Sequence, residues 1–225
     1  MRLLLVRHGQ TPSNVGHHLD TAEPGADLTD FGRAQAQAVP AALAGEEIAA
    51  IYVSNLVRTQ QTAAPLAAAR GLESRIRTGL REIEAGDLEM RNDRASLEAY
   101  IDQVFGWERD LDARMPGAET GRQVLDRFDA VVAEAAAEFA DATVVFVAHG
   151  AVIRMWAASR ADNIDLDFAS NRPLENTAMV ALESTAGGGW TVDCWTSTAL
   201  GGSELTDVRH TGPGGETDDN PDESA

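Results

Sequence analysis

The sequence contains no lysine: all 18 of its cationic residues are arginine. This absence excludes several mechanisms that depend on a primary amine. A P-loop needs a lysine on the β- and γ-phosphates, protein kinases need a strand lysine, and pyridoxal phosphate or Schiff-base enzymes need an amine nucleophile. Any phosphate chemistry in this chain therefore depends on other side chains.

Cysteine and long apolar runs are also scarce. Cys194 is the only cysteine, so no intramolecular disulfide and no cysteine-based zinc cluster can form. Its setting in the apolar segment 190–195 predicts a strand in which the thiol is a small buried side chain. Residues 3–6 are too few for a signal-peptide core, and no run approaches the roughly 18 residues needed to cross a bilayer. We therefore expect a cytoplasmic protein.

Basic residues are fewer than acidic ones: 18 arginines and 36 acidic residues give a net charge of −18. Such a surface repels nucleic acid and anionic lipid, so neither is an expected partner. The chain, with 225 residues of which 44% are hydrophobic, is long enough for one domain with a real core. We predict that this domain covers residues 1–200 and that the Gly-, Pro- and acid-rich segment 201–225 is a disordered tail. The pattern does not indicate an oligomeric state.

Strand and helix patterns alternate along the chain. Continuous runs of β-branched residues or leucine, typical of buried parallel strands, lie at 2–7, 49–54 and 143–148. Alanine-rich helical patterns lie between and after them, at about 30–44, 56–70, 119–139 and 151–159. This alternation predicts an α/β fold, a three-layer sandwich with a mainly parallel central sheet and helices on both faces.

Two later features complete the predicted fold. The stretch 86–118 breaks the alternation and predicts a helical insertion that resembles a lid. Strand patterns at 177–184 and 189–195 are joined by glycines, which predicts a hairpin.

Each of the three buried strand patterns ends near a histidine or an arginine. Arg7 and His8 follow the first strand, Arg58 lies in the first turn after the second, and His149 follows the third. Ligands of open parallel sheets bind where the carboxyl ends of the strands meet. Helix N-termini at this edge favour anions, and two guanidinium groups suit bidentate contact with phosphate oxygens. The sequence therefore predicts an anion site that contains two imidazoles.

Local sequence supports helix starts at this edge. Thr11 followed by Pro12 is typical of an N-cap and a first helical residue, and Ser54–Asn55 is interpreted as a second capping pair. A neutral histidine can act as a nucleophile, and flanking guanidinium groups lower its pKa. The charges that bind a phosphoryl group would therefore also keep a histidine nucleophile neutral.

Five segments, in order, resemble signature segments of the histidine phosphatase superfamily, the phosphoglycerate-mutase-like proteins. A single RHG tripeptide recurs by chance, but these five together cover about residues 2–195. They are LVRHGQT at 5–11 with Asn14 (family LxRHGxTxxN), LTDFGRAQA at 28–36 (LTxxGxxQA), VSNLVRTQQTA at 53–63 (SxLxRAxQTA), LREIEAGDLE at 80–89 (LxExxxGxxEG) and VAHG at 147–150, the second histidine motif.

The resemblance implies phosphoryl transfer through a phosphohistidine, without a metal or other cofactor. His8 would be the nucleophile, and Arg7, Arg58 and His149 would stabilise the charge on the phosphoryl oxygens. Glu82 would protonate the leaving oxygen and then activate water.

The choice of acid is open on spacing alone. Glu82 and Glu84 share one face of an extended segment, so both could reach the same site. The position in the family segment favours Glu82, with Glu84 as the first substitute.

The resemblance also implies that Gln10, Thr11, Asn14 and Gly150 bind the substrate. Asn14 is equally suited to capping a helix or turn.

Other histidines are interpreted differently. His17 and His18 with Asp20 suggest a metal site, but adjacent side chains do not readily face one ion, so an exposed loop is favoured. His210 lies in the predicted tail and is expected to be solvated.

Three residues depart from the family segments. Met90 stands where glycine is usual, Thr120 where serine is usual, and Ala151 where mutases commonly carry a polar residue. None removes a catalytic group. We expect a phosphomonoester hydrolase that acts on a small phosphorylated metabolite. The alternatives are phosphoryl transfer of the phosphoglycerate mutase type and a protein that binds phosphorylated ligands without turnover.

Overall fold

The computed structural model of the protein describes residues 1–207, 209 and 212, which contain one six-stranded sheet in the order β3-β2-β4-β1-β5-β6. The pairs β1–β4, β4–β2 and β2–β3 are parallel, whereas β1–β5 and β5–β6 are antiparallel. The strands are β1 Arg2–Arg7, β2 Ile48–Val53, β3 Ser74–Ile76, β4 Thr143–Ala148, β5 Met179–Ser184 and β6 Trp190–Trp195.

Helices cover both faces of the sheet, because successive strand residues point to opposite sides. Leu4 and Val6 of β1 pack in one core with α2 and α3, and Leu3 and Leu5 pack in the other with α4, α5, α6 and α7. The predicted three-layer sandwich with a mainly parallel sheet is therefore confirmed. The helices of the described residues are α1 Pro12–Val15, α2 Asp30–Ala42, α3 Val57–Arg70, α4 Arg94–Gly106, α5 Gly121–Glu138, α6 Gly150–Arg160 and α7 Leu166–Ser170.

Two findings at the sheet edges differ from the sequence predictions. Strand β3 has only three residues, two of them polar, so it left no periodic pattern to recognise. Cys194 is exposed rather than buried, since β6 is the other edge strand and only Trp190 of its six residues is buried.

The insertion 86–118 contains the predicted helix, and its residues after Gly106 form turns. It begins with a short 3-10 helix, Gly86–Leu88, and continues into α4. Tyr100, Val104 and Trp107 are each at most 1% exposed and belong to the core on one side of the sheet. This segment is therefore packed on the domain and forms one wall of it.

The first residues of the predicted tail take part in the fold, contrary to expectation. Ser203–Leu205 forms a 3-10 helix, and the amide of Gln35 donates to the carbonyl of Leu205 at 2.8 Å. The apolar side chain of Leu200 packs beside the core, which brings this segment onto the domain. The rest of the predicted tail, including His210, lies outside the described residues apart from positions 209 and 212.

The start of α2 lies very close to the loop of residues 7–11, here called the histidine loop. A Cβ atom at Gly32 would lie 2.1 Å from the carbonyl oxygen of Gln10, and one at Gly9 would lie 2.7 Å from the carbonyl oxygen of Gly32. Only glycine permits this approach without displacing backbone, so the two glycines fix the distance between helix and loop.

Replacing Gly32 by alanine is expected to lower the free energy of unfolding by about 1–3 kcal/mol, although alanine is the better helix former. The added methyl group would have to push the histidine loop away from α2. Denaturant unfolding checks this, with Gly45→Ala as the control because a Cβ at Gly45 has no neighbour within 4 Å. Equal stability of the two variants would contradict the prediction.

Candidate active site

A cleft of about 390 Å³, its open mouth included, lies at the carboxyl end of β1. It is lined by the histidine loop, by the segment that follows it, and by single residues from α3, α4 and the Glu82 segment. The lining residues are Arg7, His8, Thr11, Ser13, Asn14, His18, Leu19, Asp20, Thr21, Arg58, Glu82 and Tyr100.

His8 is 4% exposed and its ring orientation is fixed by its own loop. Nδ1 lies 2.7 Å from the carbonyl oxygen of Gly9, an acceptor, so Nδ1 carries the proton and the lone pair of Nε2 is available. Burial, followed by the charges of Arg58 and Arg7, lowers the pKa of His8 well below its ordinary value. The neutral ring with a bare Nε2 is the form that a nucleophile requires.

Arg7 and Arg58 are almost fully buried in the same cleft, at 2% and 3% exposure. Nη1 of Arg7 donates to the carbonyl oxygen of Leu174 at 2.7 Å, and Nη2 of Arg58 donates to that of Asp20 at 2.8 Å. Within the described part of the chain, Nε and Nη1 of Arg58 have no hydrogen-bond partner, although Nη1 lies 3.9 Å from a carboxylate oxygen of Asp20. Each guanidinium is thus held at one end by backbone, and Arg58 keeps donors for an anion.

His149 is fully buried next to His8 and does not itself line the cleft. The two rings meet edge to face with their centroids 5.2 Å apart. Nε2 of His149 lies 2.8 Å from Oγ of Ser54, whereas Nδ1 has no hydrogen-bond partner among the described residues. The structure therefore brings together the two imidazoles that the sequence predicted at one edge.

The structure separates the two candidate acids. Glu82 is 7% exposed and lines the cleft, and its carboxylate accepts backbone N–H groups of Ile83, Ala151 and Val152 at 2.9–3.1 Å. The side chain of Glu84 is 43% exposed and pairs with Arg81 outside the cleft. Geometry therefore favours Glu82, in agreement with its position in the family segment.

Helix N-termini contribute less to the anion site than the sequence suggested. The amides of the first turn of α6 bind Glu82, so they hold the acid and not an anion from solution. The Ser54–Asn55 cap prediction was wrong: the N-cap of α3 is Leu56, and Ser54 accepts the Leu56 amide while it contacts His149. The positive charge of the cleft rests mainly on guanidinium groups.

Two of the predicted binding residues do not line the cleft. The amide of Gln10 accepts from Oγ1 of Thr29 and donates to Asp207, so both ends of this side chain are used inside the fold. Gly150 is the first residue of α6 and lies outside the cleft lining. The sequence pattern could not show these partners, because Asp207 is 197 positions from Gln10.

Thr11 and Asn14 line the cleft, and they also cap α1. Oγ1 of Thr11 accepts a hydrogen bond from the backbone N–H of Asn14. Oδ1 of Asn14 accepts one from the backbone N–H of Thr11, which completes a capping box. Pro12 occupies the first turn, as predicted. Both interpretations of Asn14 are therefore compatible, since its side chain caps the helix at the edge of the cleft.

Six of the twelve residues that line the cleft were not among the site residues predicted from the sequence. Ser13, His18, Leu19, Asp20, Thr21 and Tyr100 all line the cleft, whereas the sequence interpretation places His18 and Asp20 in an exposed loop. Residues of the insertion 86–118 hold the segment around Leu19 in place. The backbone N–H of Leu19 donates to the carbonyl of Arg91, and the backbone N–H of Met90 donates to the carbonyl of Leu19. No local pattern marks such a pairing.

The model of the histidine phosphatase superfamily (branch 1) matches residues 3–198. The chain belongs to the histidine phosphatase superfamily. A PE-PGRS family protein of Mycobacterium tuberculosis is 33% identical over 89% of this chain and 37% of its own length. Probable phosphoglycerate mutase GpmB of Salmonella choleraesuis is 32% identical over 59% of this chain and 62% of its own length. The chain thus spans less than two thirds of either relative.

A solved structure is similar over more of its length. Mycobacterial glucosyl-3-phosphoglycerate phosphatase, complexed with VO3, has a TM-score of 0.73 and 30% identity, with 86% of this chain and 98% of that chain covered. The family and fold predicted from the sequence are confirmed.

Met90 is the departure from the family segment that the backbone explains. Its φ is 59°, in the left-handed region that favours glycine, and its side chain is 52% exposed. The superfamily pattern has glycine where this conformation is needed. The backbone N–H of Met90 in this conformation donates to the carbonyl of Leu19.

The backbone of His8 is held by a strained turn at residues 176–177, immediately before β5. Thr177 has a φ of 61°, which is rare for a β-branched residue. Its amide donates to the carbonyls of Arg7 and His8 at 3.1 and 3.3 Å, and Nδ2 of Asn176 donates to the carbonyl of His8 at 3.0 Å. The backbone of His8 is therefore positioned by residues just before β5.

No helix within the described residues combines the length and apolar character needed to cross a membrane. In the same part of the chain, no three His, Cys, Asp or Glu side chains gather as a metal site. Asp20, considered above with His17 and His18, accepts hydrogen bonds from Ser13 and from the Ala26 amide.

Because the imidazoles of His8 and His149 are buried, we predict that the free energy of unfolding decreases as the pH is lowered. Burial and nearby arginines lower the pKa of both His8 and His149 below the ordinary 6.5. The unfolded chain therefore binds more protons below pH 6.5, and the folded state loses up to about 1.4 kcal/mol per pH unit for each ring as the pH falls towards the folded-state pKa. Denaturant unfolding at pH 7.5 and 5.5 measures this. The doubly substituted protein His8→Asn, His149→Asn should lose less stability, and equal losses would contradict the prediction.

Proposed function

We propose that the protein is a phosphomonoester hydrolase that acts on a small phosphorylated metabolite through a phosphohistidine at His8, without a metal or other cofactor. The observation that carries the proposal is the pairing of a buried neutral imidazole with two buried guanidinium groups in one cleft. We further propose a cytoplasmic location. Phosphatase names among the relatives support the reaction type.

In the first half-reaction, the lone pair on Nε2 of His8 attacks phosphorus and the bond from phosphorus to the alcohol oxygen breaks. Glu82 gives its proton to that oxygen, and the product alcohol leaves. Arg7, Arg58 and His149 stabilise the negative charge on the three other oxygens.

In the second half-reaction, the Glu82 carboxylate takes a proton from water as the water oxygen attacks phosphorus. The phosphorus–nitrogen bond breaks, its electron pair returns to Nε2, and inorganic phosphate is released. The three backbone N–H groups on Glu82 hold the carboxylate in place between the two steps.

The test is a panel of phosphorylated sugars, nucleotides and glycerates, scored for both free phosphate and isomerised product. We expect free phosphate from at least one class and unchanged activity in the presence of a chelator. Isomerised product without free phosphate would assign the mutase reaction instead. Tight binding of phosphate without any turnover would make the protein a phospho-ligand-binding module.

A further inference from the structure

Two buried hydroxyl groups, on residues that do not line the cleft, are hydrogen-bonded in series to His149. Oγ of Ser54 is 2.8 Å from Nε2 of His149 and 3.1 Å from Oγ1 of Thr59. All three residues have 0% exposure. Their protons must therefore be placed among protein atoms, since bulk water does not reach them.

The hydrogen bonds of this chain can run in two directions. In one, Nε2–H of His149 donates to Ser54, Ser54 donates to Thr59, and Thr59 donates to the carbonyl of Leu56 at 2.8 Å. In the other, Thr59 donates to Ser54 and Ser54 donates to a bare Nε2. The Leu56 amide donates to Oγ of Ser54 in both and keeps this oxygen in place.

We propose that Ser54 and Thr59 form a two-way hydroxyl relay that holds the His149 ring in one position in both its neutral and its protonated form. Whichever form the ring takes, Nε2 keeps a hydrogen bond to Ser54, so Nδ1 can carry a proton and donate it in a hydrogen bond to a phosphoryl oxygen. Ser54 and Thr59 are positioning residues, because they act only through His149. The inference rests on the proposed function.

Nδ1 of His149 is buried and has no hydrogen-bond partner among the described residues, as a group awaiting a ligand would. Burial, then the charge of Arg58 and smaller contributions from His8, Arg127 and Arg7, lower its pKa and favour the neutral ring. The carboxylate of Glu82 lies close in the fold, since it accepts the backbone N–H groups of Ala151 and Val152, which follow His149 at the start of α6. A bound phosphate dianion adds negative charge and favours the second proton on the ring.

Thr59 distinguishes this chain from the superfamily segment, because it supplies the second hydroxyl group of the relay. The superfamily segment SxLxRAxQTA has alanine at the place of Thr59, so a chain that follows the segment has Ser54 without the second hydroxyl. With valine at 59, Ser54 can still donate to Nε2. When it accepts from a protonated His149, however, its own proton has no acceptor.

The test is ¹⁵N NMR of the histidine rings in the full chain, with and without inorganic phosphate. The His149 signals are identified by their loss in His149→Asn. In the wild type, phosphate is expected to convert His149 from neutral to doubly protonated. Thr59→Val should weaken proton binding by His149 in the phosphate complex about tenfold, and Ser54→Ala should weaken it further.

Thr191→Val, on edge strand β6, is the matched control and should leave the ring signals unchanged. Thr59→Val nearly preserves the shape of the side chain, so it keeps the test decisive even if Ser54→Ala does not fold. The relay is overturned if His149 stays neutral with phosphate bound or if Thr59→Val titrates like the wild type. Turnover on the substrate panel is a separate readout, so the hydrolase proposal can stand or fall independently.

Discussion

Replacing His8 by alanine is expected to abolish the phosphoenzyme and to reduce turnover by about 10⁴-fold or more, because in the proposed mechanism this ring forms the covalent bond to phosphorus. The guanidinium groups of Arg7 and Arg58 remain, so inorganic phosphate should still bind. The measurement is rapid quench with labelled substrate, in which wild-type label should survive alkali and be lost in acid, as a phosphoramidate is.

The matched comparison is His8→Asn against His17→Asn. His17 lies in the same segment of the chain but outside the cleft lining, and asparagine tolerates its φ of 54°. We expect His17→Asn to form the phosphoenzyme at the wild-type level. Acid-labile label in His8→Ala or His8→Asn would show that another residue carries the phosphoryl group.

The Glu82→Gln variant is expected to slow turnover by about 10²–10⁴-fold, which is the usual effect of losing a general acid and base. The loss should be largest for substrates with poor leaving groups, since an alkoxide needs the proton that glutamine cannot supply. With a good leaving group such as p-nitrophenolate, the first step should proceed and the phosphoenzyme should accumulate as a burst.

Glu84→Gln provides the control, because Glu84 lies two residues away, is partly exposed and pairs with Arg81. Its turnover should stay within about twofold of the wild type, as expected for an exposed ion pair. Glutamine cannot accept all the N–H groups that Glu82 accepts, so unfolding of Glu82→Gln should be measured alongside turnover. A normal burst and normal hydrolysis in a folded Glu82→Gln protein would remove Glu82 from the mechanism.

Much of the fold was predictable because its central strands correspond to runs of apolar residues that are continuous in the sequence. The apolar runs of β1 and β4 coincide with the observed strands residue for residue, since buried parallel strands leave a continuous signal. His8 and Arg58 were found for the same reason: they follow strands whose ends must meet at one edge of a parallel sheet.

What escaped prediction depends on contacts between distant segments. Ser54 has the composition of a helix cap, yet its hydroxyl contacts His149, 95 positions away. The start of α6 has the N–H groups of an anion site, but Glu82 occupies them from 69 positions earlier. Each local motif was recognisable, and only the tertiary structure decides which partner it takes.

The turn at Asn176 and Thr177 links the geometry of the cleft to the order of protein synthesis. It holds the backbone of His8 together with β5, which pairs with β1. At about 5–20 residues per second, a ribosome needs several seconds or more to add the chain between β1 and this turn. A nascent chain that contains His8 but not yet Asn176 and Thr177 lacks the hydrogen bonds that hold the His8 backbone. The arrangement of the cleft around His8 can therefore form only when synthesis of the domain is nearly finished.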